Sequence, residues 1–156
     1  MVCKLNIMSK LVMLILAIAG FMLFVAGCKK TETISSVPSI KFIAISPNPA
    51  IKYQDEIVIA IECTDGDGDL GENTPDTKNL FITDSRNNVT TAMRLSQLAP
   101  DNSSIILRVP INIHLLPPGF IDDNSTSESV SYSVYVKDRA GNQSNTIQTS
   151  SITVNQ

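Results

Sequence analysis

Nine carboxylates and one basic residue, Lys78, occupy the stretch from Asp55 to Asp84. Three of these acids, Asp65, Asp67 and Asp69, stand at alternate positions with Gly66 and Gly68 between them. Three carboxylates within five residues repel one another unless a cation or water screens them. Glycine at the intervening positions permits the φ > 0 turns that fold such a run inward. Calcium takes about six to eight oxygens, at roughly 2.3–2.6 Å, from loops of this kind. Asp65, Asp67 and Asp69, with Glu72 or Asp76 adding further oxygens, therefore form a candidate Ca²⁺ site. The same run also reads as a solvated turn kept soluble by its charge, or as a contact for a basic partner.

The spacing fits an EF-hand only in part. Asp65, Asp67 and Asp69 match its first, third and fifth positions. Leu70 stands where that loop needs glycine, and Asp76 where it needs glutamate. The run more closely resembles the looser Asp-x-Asp-x-Asp loops of calcium-stabilised extracellular modules. It is also similar to the Gly-Asp-Gly-Asp-Leu-Gly runs of Bacteroidetes lipoproteins.

Other chemistry is thinly represented. His114 is the only histidine, so a multi-histidine zinc site is excluded, and Cys63 alone does not complete one. No Gly-x-Ser-x-Gly elbow or phosphate-binding glycine loop occurs. A hydrolase using clustered carboxylates is the remote catalytic reading. The acids lie in a glycine-rich loop, a poor setting for raising a pKa by burial, so no enzyme is expected.

The N-terminal segment addresses the chain. Lys4 and Lys10 precede an uncharged apolar run from Leu11 to Phe24, broken only by Gly20. Its length suits a signal-peptide core and falls short of the roughly 20 residues of a membrane span. Val25-Ala26-Gly27-Cys28 closes it and resembles the lipobox of bacterial (Bacteroidetes-type) lipoproteins. The resemblance implies cleavage before Cys28 and lipidation of its thiol. It also implies a location on the bacterial cell envelope, with the outer membrane favoured because no Asp follows Cys28. The alternative is an N-terminal transmembrane anchor with an incidental cysteine. Cleavage would remove Lys4 and Lys10, leaving ten basic against fifteen acidic residues, a net charge of −5. An acidic chain without a basic cluster argues against nucleic acid. Cys3 would leave with the signal and Cys28 carry lipid. Cys63 would then have no disulfide mate, and it reads as a small buried hydrophobe.

Residues 1–27 are thus expected to be signal, 28–38 a lipidated N-terminus and polar tether, and 39–156 one domain. Within that domain short β-runs alternate with turn clusters. Strands are expected at Ile40–Ile45, Asp55–Cys63, Leu80–Thr83, Val89–Leu95, Ser104–Ile113, Ser129–Lys137 and Thr146–Val154. Pro110 assigns its strand to an edge or a bend. Met93–Ala99 is the nearest approach to a helix. About seven strands in a domain of this length point to an all-β antiparallel sandwich.

Tyr132-Ser-Val-Tyr-Val-Lys-Asp-Arg-Ala-Gly-Asn, followed by Ser144-Asn-Thr and Ile152-Thr-Val, resembles the closing hairpin of Ig-like modules. Fibronectin III-like, PKD-like and cadherin-like domains of bacterial surface proteins share it. The resemblance implies an Ig-like fold and names no ligand. The expected role is a binding or structural module, held to the membrane by its lipid and facing an envelope protein or glycan. The alternative is a calcium-dependent adhesion or glycan-binding module.

Overall fold

A computed structural model describes residues 34–156. The expected signal peptide (1–27), Cys28 and the first part of the expected tether lie outside the described residues. Among the described residues none is helical, and so no helix is long and apolar enough to cross a membrane.

The chain is an all-β sandwich built from three sheets. Strands β1 (Ser39–Ser46), β3 (Ile57–Asp65) and β6 (Leu107–Leu115) form an antiparallel sheet with β3 in the centre. Strand β2 (Ala50–Ile51) pairs in parallel with β10 (Ile152–Asn155), and β10 pairs antiparallel with β7 (Ser127–Val130). The third sheet runs β5 (Thr90–Met93), β4 (Leu80–Asp84), β8 (Tyr132–Val136), β9 (Ile147–Gln148).

Alternation along β3 explains its central place. Ile57, Ile59, Ile61 and Cys63 all face inward and are essentially inaccessible. Ile82, Val134, Val136, Ile152 and Val154 meet them from the other sheets. Burying each such side chain contributes about 1.5–3 kcal/mol. Cys63 is free and buried, and burial pushes its thiol up to about 12, so it behaves as an apolar residue. Pro110 lies on β6, an edge strand, where its missing N–H breaks no ladder.

Two of the expected strands are divided. Ser129–Lys137 changes sheet at Ser131: β7 pairs with β10, whereas β8 pairs with β4 and β9. The crossing is held by Ser85, whose N–H donates to the Ser131 carbonyl at 3.0 Å and whose Oγ accepts from the Ser131 N–H at 3.1 Å. The final strand crosses at the matching height. Thr149 donates its N–H to the Tyr132 carbonyl and accepts the Tyr132 N–H on Oγ1, both at 2.9 Å. Met93–Ala99 forms no helix: Met93 ends β5, and Leu95 is gripped by the buried Asn79 side chain through both its N–H and its carbonyl.

The last residues of the tether are docked against the domain. Pro38 is buried, and the carbonyls of Ile34 and Ser35 lie against Gly66. A Cβ at Gly66 would stand 2.4 and 2.5 Å from those two oxygens, so only glycine fits there.

Candidate metal centre

Asp65 occupies the last inward position of β3, where the alternation calls for another apolar side chain. It is fully buried. Its Oδ2 accepts the N–H groups of Gly68 at 2.9 Å and Asp69 at 3.1 Å, which curls the chain into a tight loop. Gly68 sits there at φ +80° and Gly71 at φ +89°, conformations that glycine adopts without strain. A Cβ at Gly71 would also strike the Ser96 carbonyl at 2.3 Å.

The loop is pinned to the turn after β8. Asp69 accepts the Arg139 N–H on its carbonyl and the Ala140 N–H on Oδ2, each at 3.1 Å. Leu70 pairs with Asp138 in an isolated antiparallel bridge. Asp138 is itself buried and accepts from Asn142 through the backbone N–H at 2.7 Å and the side-chain Nδ2 at 2.8 Å. Arg139 aims its guanidinium at the carbonyls of Gly71 (3.1 Å) and Gly68 (3.3 Å), with Asp101 3.6 Å from Nε. It therefore ties the loop's backbone together and leaves the inner carboxylates unpaired.

This arrangement brings one carboxylate oxygen from each of Asp65, Asp69 and Asp138 within 4.8 Å of one another. Oxygens on opposite sides of a cation bound at roughly 2.3–2.6 Å would be separated by about that distance. The buried inner oxygens Asp65 Oδ1, Asp67 Oδ1 and Asp69 Oδ1 have no hydrogen-bond partner. Native interiors rarely leave such atoms unsatisfied, because desolvating a carboxylate without a partner is expensive. Contrary to the expectation for a glycine-rich loop, burial raises the pKa of Asp65, because it ends the inward phase of β3, and Asp67 beside it adds to the effect. Burial and then the Asp138 charge push Asp69 up to about 6. A bound cation would relieve both effects. A cleft lined by Asp67, Asp69, Asp101, Asn102, Ser103 and Arg139 opens onto the cluster. The buried cluster can hold a metal ion.

The structure thus brings together Asp65 and Asp69 from the expected set and adds Asp138. Asp67 lies outside that trio, though its buried Oδ1 is unpartnered and its charge acts on Asp65. Glu72 is directed elsewhere: its Oε1 accepts the N–H groups of Asn73 (2.8 Å) and Thr74 (2.9 Å), which lowers its pKa. Asp76 is exposed in the following turn. Asp138 had a signal that the turn composition obscured. It follows Tyr132, Val134 and Val136 in the inward phase of β8, as Asp65 follows Ile59, Ile61 and Cys63 in β3. His114 stands exposed on β6, its Nδ1 3.2 Å from Glu56 Oε2 and remote from this cluster. Comparison with protein-family models, curated proteins and solved structures gives no match.

Proposed function

We propose that this chain is a lipid-anchored, non-catalytic protein of the bacterial envelope, whose sandwich is locked at one end by a single Ca²⁺. Asp65, Asp67 and Asp69 supply the inner oxygens and Asp138 closes the site from the β8 turn. The observation that carries this reading is the set of three buried carboxylate oxygens without partners. The donor set is all oxygen and irregular, which suits calcium better than magnesium, with its demand for octahedral geometry, or zinc, with its preference for nitrogen and sulfur. Crosslinking β3 to the β8 turn would fix the loops at that end as a surface for an envelope partner. The anchor rests on Val25-Ala26-Gly27-Cys28, where acylation of Cys28 with several chains gives stable attachment.

Calorimetric titration of the metal-stripped protein tests the calcium reading. Saturable heat with a stoichiometry of one, accompanied by a rise in melting temperature, is the expected result. Absence of both at millimolar Ca²⁺ sinks it. For the anchor, Cys28→Ser should leave unlipidated precursor. Membrane retention after signal cleavage in that variant would count against lipidation.

A further inference from the structure

The end of the sandwich opposite the aspartate cluster contains a cavity of about 390 Å³, between the β4–β5 hairpin and the end of β6. That volume falls in the range of small-molecule sites. Ile82, Val89, Met93, Leu115 and Leu116 give it apolar walls. Asp84, Arg86, Asn87, Thr91, His114 and Tyr132 supply its polar groups.

Tyr132 is 5% exposed; its hydroxyl has no protein partner among the described residues and is not among the fully buried unpartnered atoms, so it is open to the cavity it lines. Burial, with Asp84 nearby, pushes its pKa up to about 12, so the hydroxyl keeps its proton and remains a donor. Arg86 directs Nε to both Asp84 oxygens, Nη1 to Gly119 O and Glu128 Oε2, and Nη2 to Asp84 Oδ2. A guanidinium has five N–H donors, so one on Nη2 is uncommitted. Two residues lining an apolar cavity therefore hold donors without acceptors. Asp84 lines the cavity, and Glu128, outside its lining, shares Arg86 with it; His114, also in the lining, faces Glu56 at 3.2 Å, so acids outnumber bases around the polar side.

We infer that this cavity binds an uncharged small molecule with an apolar body and one acceptor oxygen, such as an alcohol, ketone or amide, held by the Tyr132 hydroxyl. A carboxylate of the same shape is repelled by the excess acid. The cavity would then hold a ligand independently of any cation at the other end.

Met93 lines this cavity and is the only methionine beyond residue 22, which makes its methyl group a local reporter. The test uses the full chain, labelled with ¹³C-methyl methionine, in lipid nanodiscs. Met93→Leu assigns the resonance. The probes are 2-phenylethanol and phenylacetate, which share a body and differ in charge. The alcohol should shift the Met93 signal saturably, and phenylacetate should not. Tyr132→Phe should weaken alcohol binding about five-fold while preserving the walls. Thr91→Trp, at an exposed lining position, should abolish it by filling the mouth. No saturable shift, equal binding of phenylacetate, or unchanged affinity in Tyr132→Phe would each overturn the inference. Should Tyr132→Phe fail to fold, the alcohol–carboxylate pair and Thr91→Trp decide the matter.

Discussion

At one end of the sandwich Asp84 and Glu128 flank Arg86; at the other, Asp65, Asp69 and Asp138 crowd together, with Asp67 beside Asp65, while Arg139 turns to backbone carbonyls. The eight steps along β3 separate the two ends by roughly 26 Å. Both ends bury carboxylates, but they satisfy them differently. Arg86 contacts Asp84 at 2.7 Å and Glu128 at 2.9 Å, and Glu128 Oε1 accepts two further N–H groups, from Ile121 and Asp122. These bonds, that from Asp122 foremost, hold Glu128 below its usual range. At the other end three oxygens accept nothing, and the pKa values of Asp65 and Asp69 rise. The chain carries its own cation where the fold needs one permanently. Where none is built in, the carboxylates are arranged as for a cation from outside.

The largest expected effect comes from removing the built-in cation. Arg86→Met should lower the urea midpoint more than Asp65→Asn or Gly66→Ala does, because Asp84 and Glu128 lose their shared partner. Urea denaturation measures it, with or without calcium. An unchanged midpoint would mean that water satisfies these acids and that the contrast between the ends is not real.

Asp65→Asn sharpens the contrast from the other side. In calcium-free protein it should leave stability unchanged or slightly raised, since it removes a repelling charge while its carbonyl oxygen can still accept from Gly68 and Asp69. The stabilisation by calcium, about 2.7 kcal/mol at a free concentration one hundred times Kd, should largely disappear. Melting curves with and without calcium give both numbers. A large loss of stability in the calcium-free variant would show that Asp65 is needed as a charged structural residue rather than as a ligand.

The two ends also differ in how far the sequence discloses them. Ile57, Ile59, Ile61 and Cys63 announce β3 by their alternation, and of the two readings Pro110 allows, a bend or an edge, β6 takes the edge. The crowding of Asp65, Asp67 and Asp69 is visible because it is local. Asp138 is 69 to 73 positions away from them, and only the pairing of Leu70 with Asp138 brings it close. The Arg86 network is equally nonlocal, joining residue 86 to residue 128 through the hairpin. Changes of sheet at Ser131 and near Thr149 depend on serine and threonine side chains that bond across the fold. Nothing in the alternation of Val130, Tyr132 and Val134 marks such a crossing.

A smaller effect concerns residues 34–38, of which Ile34 and Ser35 lie against Gly66 at the aspartate end. Gly66→Ala places a methyl group against the carbonyls of Ile34 and Ser35, and overpacking of this kind costs about 1–3 kcal/mol. Part of that strain should be relieved by release of residues 34–38. Limited proteolysis should then cut before Ser39 faster than in the parent, with the Arg86 end unaffected. An unchanged cleavage rate would show that the loop yields instead.

The smallest expected effect is the dependence of the two ends on pH, and their signs oppose. Asp69 has a folded pKa of about 6 against 3.8 for the free side chain. The folded state therefore binds that proton more tightly, and its contribution is present below about pH 4 and lost as pH rises through 6. Without calcium, the aspartate end should weaken between pH 4 and 7. Calcium requires the deprotonated carboxylates, so its affinity should rise over the same interval and reverse the slope. Glu128 behaves in the contrary sense: its lowered pKa stabilises the fold above about 4.5 and that contribution fades on acidification. A melting profile of calcium-free protein from pH 4 to 7 should therefore decline, and Asp69→Asn should flatten it. The same series in saturating calcium should climb. If both profiles run parallel, the cluster's protons and its cation are not in competition, and the aspartates form a solvated turn.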